Sequence, residues 1–211
     1  MIDDRDESNW LHRRLLLRAA FAAIPALLPR DVRAESAQRA GSVEFVKGEA
    51  FAEASAARRA LDRDAPVFLG DRCAAGFDSR LTLGLGNNTR LKLGQMTRVT
   101  VDRYLVGAGG ELTLEGGAML FDRPEGAKPA PVQIRSSFAL IAVRGTRFFA
   151  GPSNDAFGVF VDRGTVTVTA AGQRVVLQKG QGTDIRAPGE PPTAPKAWGP
   201  PRIAAALASV S

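Results

Sequence analysis

Between Gly41 and Ile185 the chain alternates apolar and polar residues in short runs. Leu81-Thr82-Leu83, Leu91-Lys92-Leu93, Val99-Thr100-Val101, Leu112-Thr113-Leu114 and Val166-Thr167-Val168 each set two aliphatic side chains on one face and a polar one on the other. That period of two is the signature of a half-buried strand. The interruptions, Gly86-Asn87-Asn88, Gly107-Ala108-Gly109-Gly110 and Ala170-Ala171-Gly172-Gln173, are built from residues that tolerate a positive φ, so the strands reverse there. No stretch sustains a 3.6-residue period; Ala52–Leu61 comes nearest and reads equally as a loop around Ser55. The regular spacing predicts an all-β domain, short-stranded and either β-solenoid-like or sandwich-like. Phe138–Val143 and Phe157–Val161 are apolar on both faces and belong in the middle of such an assembly, whereas Leu91–Leu93 should keep one wet face.

The two ends read differently. Pro188, Pro191, Pro192, Pro195, Pro200 and Pro201 bar a central strand or helix and favour extended chain. Residues 186–211 are therefore expected to be a Pro-rich tail, with Ile203–Val210 a short helix that is marginal unless docked. At the other end, Arg13-Arg14-Leu15-Leu16-Leu17-Arg18 precedes an apolar run, Ala19–Leu28, and Val32-Arg33-Ala34 offers small residues at both critical positions of a cleavage site. This is the layout of a twin-arginine export signal, predicting an N-terminal signal helix and a signal peptide over residues 1–34, with Arg13, Arg14 and Ala34 as its working residues. A ten-residue run makes about 15 Å of helix, too short to span a bilayer. The expected location is the periplasm, with an inner-membrane tether if the signal is not cleaved.

Composition removes most enzyme chemistry. The chain has 211 residues with one His and one Cys. The histidine, His12, falls in the expected leader, so a mature chain has no imidazole for a Ser-His-Asp or Cys-His mechanism or a zinc site. Cys73 alone makes no intrachain disulfide or thiolate cluster and reads as a small buried residue, with a free reactive thiol as the alternative. No catalytic, cofactor or metal site is expected. Removing residues 1–34 takes six of 28 basic and five of 22 acidic residues, leaving a charge of +5. With no basic cluster beyond Arg58-Arg59 and few aromatic platforms, nucleic acid is not an expected partner.

Several segments in order resemble the FecR domain family. Phe138-Ala139-Leu140-Ile141-Ala142-Val143-Arg144-Gly145-Thr146-Arg147-Phe148 is similar to the family's apolar strand, Val-Arg-Gly-Thr, one residue and an aromatic. Val159-Phe160-Val161-Asp162-Arg163-Gly164-Thr165-Val166-Thr167-Val168 and Val175-Val176-Leu177-Gln178-Lys179-Gly180-Gln181-Gly182 resemble its closing segments. Gly41–Ala50 resembles its opening, and Asp78–Leu93 its middle. The resemblance covers residues 41–185. It implies a β-rich periplasmic module that passes signals by contact. Family regulators also carry a cytoplasmic anti-sigma segment and a receptor-contacting domain, for which the flanks here are too short. The expectation is a free-standing FecR-like module with an envelope protein as partner.

Within the motif, Gly145 is expected to permit a bulge or close approach, Thr146 to cap the bend and Arg144 to pair with a nearby acid. That structural reading, with Phe148 in the core, is favoured over a contact surface for a carboxylate. The Asp-Arg pairs at 62–63, 71–72, 102–103, 122–123 and 162–163 read as solvated turn charges. The function expected is contact signalling or regulation in the envelope without enzymatic activity. The alternative is a structural module that binds cell wall or glycan.

Overall fold

The computed structural model describes residues 38–54, 57–86, 88–105, 109–126 and 130–211. The expected signal helix, with Arg13, Arg14 and Ala34, lies outside the described residues.

The described chain passes back and forth between two nine-stranded sheets. It enters the first sheet as β1 (Arg39–Lys47), then lays β2 (Ala50–Ala54) and β3 (Ala57–Ala60) in the second. Single strands follow: β4 (Pro66–Phe68) in the first sheet and β5 (Arg72–Ala75) in the second. Hairpins then alternate, β6 (Arg80–Leu85) with β7 (Thr89–Leu93) in the first sheet and β8 (Arg98–Leu105) with β9 (Gly109–Gly116) in the second. A lone β10 (Met119–Asp122) returns to the first sheet. The hairpin β11 (Val132–Ser136) and β12 (Leu140–Val143) follows in the second, and β13 (Arg147–Ser153) and β14 (Ala156–Arg163) in the first. The series closes with β15 (Thr165–Ala170) and β16 (Gln173–Gln178) in the second sheet and β17 (Gln181–Ile185) and β18 (Lys196–Ala197) in the first. The sheet orders, β4-β1-β6-β7-β10-β13-β14-β17-β18 and β3-β2-β5-β8-β9-β11-β12-β15-β16, show the strands advancing nearly in chain order. The fold combines the stepwise progress of a solenoid with the two facing layers of a sandwich.

The alternation in the sequence accounts for the layers. In β6 and β7, Leu81, Leu83, Leu91 and Leu93 are buried while Thr82 and Lys92 are partly exposed. Together with Val99, Leu112, Ile134, Ile141, Val166 and Val168 they form one core between the sheets. Tight turns hold the register. Asn154 and Asp155 both have positive φ (51° and 58°) between β13 and β14, and Ala171 and Gly172 do the same (47° and 74°) between β15 and β16. Both are the two-residue turns whose twist suits a hairpin. Ala52–Leu61 is neither helix nor plain loop, since β2 and β3 pair antiparallel within it.

Residues 186–211 pack onto the domain. The helix α1 (Pro200–Ala208) begins with prolines, whose missing N–H groups are unpaired in a first turn anyway. Ala206 and Val210, with Ile203 and Leu207, cover Leu120, Phe149 and Phe160 on the outer face of the first sheet. Trp198 completes this second core, stacked on Phe160 at 5.2 Å between ring centres. This is why β14 is buried on both faces, as its sequence suggests. Phe138–Val143 differs: Phe138 lies in the turn before β12, and Leu140 and Ala142 stay partly exposed.

Candidate docking surface

The two ends of the sandwich, where the chain changes sheets, have different chemistry. At one end lies the Val-Arg-Gly-Thr segment. Gly145 has φ +67° with open space where a side chain would be, Arg144 is exposed, and Thr146 and Phe148 are fully buried. Phe148 packs on Phe121 at 5.5 Å. Among the described residues Arg144 makes no ion pair and the Thr146 hydroxyl has no partner. The neighbouring arginines make the pairs instead: Arg147 with Asp162 at 3.2 Å and Asp122 at 3.6 Å, and Arg163 with Asp122 at 2.9 Å.

Beneath them lies Arg123, whose side chain is fully buried. Its Nε donates to Thr89 Oγ1 at 3.0 Å, Nη1 to the Ala130 carbonyl at 2.6 Å and Nη2 to the Tyr104 hydroxyl at 2.9 Å. Its backbone N–H donates to the Thr146 carbonyl at 3.0 Å, and its carbonyl accepts from Arg163 Nη2 at 2.7 Å. One arginine thereby ties β7, β8, the β10–β11 crossing and the motif together. The Asp-Arg pairs are thus not uniformly solvated turn charges. Asp71 is also buried, accepting from the Phe68 N–H at 2.7 Å and pairing with Arg59.

The opposite end is apolar. Phe77, in the β5–β6 turn, is 83% exposed, and Met96, in the β7–β8 turn, is 60% exposed. They line a cleft of about 410 Å³ with Gln95 and Pro152. A second cleft of about 440 Å³ shares Gly117 and Pro152 with it and is walled by Phe138, Phe157, Asn154 and Arg186. Phe138 stacks on Phe157 at 4.7 Å, nearly parallel. Met96 has φ +53°, a left-handed conformation disfavoured for a side chain of this size. Its backbone N–H is held by the Gly76 carbonyl at 3.0 Å. Neither Phe77 nor Met96 was marked by the sequence pattern, because a single apolar residue in a turn carries no periodicity.

Cys73 is fully buried and its thiol is pushed up to about 12, first by burial and then by nearby Asp71, with Arg59 opposing. Among the described residues no three His, Cys, Asp or Glu side chains come together in an arrangement that could hold a metal ion. No described helix is long and apolar enough to cross a membrane.

Residues 71–167, from β5 into β15, match the family model described as FecR protein. Over that stretch the chain is similar to a FecR domain. Around the matched stretch, the first four strands and the segment from β16 to β18 complete the two sheets. Two crystal structures of a candidate anti-sigma factor from Parabacteroides distasonis, at 1.65 and 2.50 Å resolution, have the same fold. They match with TM-scores of 0.54 and 0.53 at 16% identity, over 64% of this chain. The match spans 64% and 63% of their own chains. No curated protein matches.

Proposed function

We propose that this FecR-like domain is a non-enzymatic regulatory module that acts by protein contact in the periplasm, reached through an export signal over residues 1–34 and formed by the FecR-like body 41–185 with its 186–211 tail. The observation that carries the reading is the pair Phe77 and Met96, two large apolar side chains held out into solvent at one end. A buried position would release apolar surface from water, and a glycine or asparagine would relieve the Met96 backbone. Left-handed strain at an exposed apolar residue is the kind of local cost that accompanies a contact site. Support also comes from the family that the domain resembles and from the anti-sigma description of the two similar structures.

The test is a photoreactive amino acid placed at Phe77 in living cells, with Arg144 at the opposite end as the control position. One envelope protein cross-linked from Phe77 and not from Arg144 supports the reading. Recovery of cell-wall fragments alone, or of nothing that differs between the two positions, overturns it.

A further inference from the structure

The four edges of the two sheets are unequal. β18, β4 and β3 end their sheets with two, three and four residues, whereas β16 ends the second sheet with six, Gln173–Gln178. The tail that runs on from β17 finishes the first sheet, through β18 and α1, and leaves β16 bare among the described residues. Short edges resist strand addition; a long one with adjacent valines invites it.

The backbone of β16 is poised for that. The Gln178 N–H points away from β15 and donates to the Gln181 side chain at 2.9 Å, a bond that an added strand would replace. By the alternation of an antiparallel ladder, Val176 and Arg174 also turn their N–H and C=O groups away from β15. Val176 is 45% exposed, on the outer face with Arg174 and Gln178, while Leu177 is buried and Val175 half-buried on the core face.

We propose that β16 pairs antiparallel with β16 of a second copy of this chain, about a two-fold axis at Val176, joining two second sheets edge to edge. The register follows from self-complementarity. An axis at Val176 sets Val176 against Val176 on the outer face and Val175 against Leu177 on the core face. Arg174 then faces Gln178, and Lys179 faces Gln173, so no charge opposes its own kind. The two Arg174 side chains stand about 14 Å apart at roughly 3.4 Å per residue, beyond the screening length in physiological salt. The dimer is therefore expected to tighten as salt rises from low concentration.

The test uses the purified full chain. Sedimentation equilibrium should show a monomer–dimer system, with Val176→Pro weakening association at least tenfold. Proline removes an N–H that the edge model assigns to the partner, and thermal unfolding of the variant checks that the sheet survives. Val176→Cys gives a register readout. Residues opposed in a hydrogen-bonded antiparallel pair lie about 5.5 Å apart between Cα atoms, within disulfide range. Val176→Cys should form a disulfide-linked dimer on mild oxidation, whereas Lys179→Cys should not. A monomer at every concentration overturns the proposal, as does equal cross-linking at both positions, or a Val176→Cys disulfide that forms in cells only to a different protein. These outcomes are read without the partner at Phe77, so failure here is distinct from failure of the contact reading at the other surface.

Discussion

Arg123 brings a permanent charge into a site where, among the described residues, no carboxylate comes within ion-pair distance and three neutral oxygens receive its N–H groups. Arg123→Ala should lower stability by about 3 kcal/mol, because the Ala130 carbonyl in particular is left buried without a donor. Arg123→Met should cost less, since its stem keeps the space filled and Thr89 and Tyr104 can still pair with each other. Chemical denaturation of the three proteins measures the order. Met96→Gly should do the opposite, raising stability by about 1 kcal/mol by removing left-handed strain, while abolishing the cross-link from Phe77 if that end is the contact surface. Cys73, with its thiol raised to about 12, should resist a thiol reagent at pH 8 in the folded protein and react once denatured. The role of Arg123 was hidden in the sequence: the five Asp-Arg pairs between residues 62 and 163 look alike on paper, and only the crossing of β10 against β7 and β8 distinguishes 122–123. At Gly145 the expectation was a bulge or close approach, whereas the residue takes a positive φ with open space where a side chain would stand.

The strands themselves were legible wherever apolar and polar residues alternate, and their hairpins wherever two turn residues intervene. The docking of the tail was not. Prolines announce an extended chain, but where that chain goes depends on a seat formed by residues far away. Trp198 lies flat on Gly158 and Gly182; a Cβ on Gly182 would stand 2.3 Å from its Nε1, and one on Gly158 2.8 Å from the ring. Arg202 stacks over the same indole at 3.6 Å and reaches Asp184 at 2.5 and 3.2 Å. Gly182→Ala should therefore loosen the tail and lower the melting temperature, as seen by a red shift of Trp198 fluorescence in a Trp10→Phe background. Burial opposes ionisation of Asp184, but hydrogen bonds and charge from Arg202 and Lys196 outweigh it and hold the carboxyl below its usual value. A depressed carboxyl stabilises the fold fully above the unfolded value of about 3.9 and loses that contribution as pH falls through the folded value. The tail should thus loosen on acidification below about pH 4. Asp184→Asn should show weaker docking at neutral pH and no such acid step.

The described residues form one core between the sheets and another outside the first sheet, and the second depends on the last residues of the chain. Truncation after Ile185 should bare Leu120, Phe149 and Phe160; the shortened protein is expected to bind a hydrophobic dye and scatter light where the full chain does neither. The two-layer plan also contains a rule of parity. Most neighbouring strands run antiparallel, but β11 runs parallel to β9. Between them the chain visits the first sheet with β10 alone, whereas a hairpin occupies the visit on either side of it. A visit of one strand sends the chain back in its former direction; a visit of two reverses it. Length can therefore be added or removed in paired strands without changing the orientation of anything downstream. Loss or gain of one strand would swap the two ends for every later turn, moving whatever a turn carries to the opposite side of the protein.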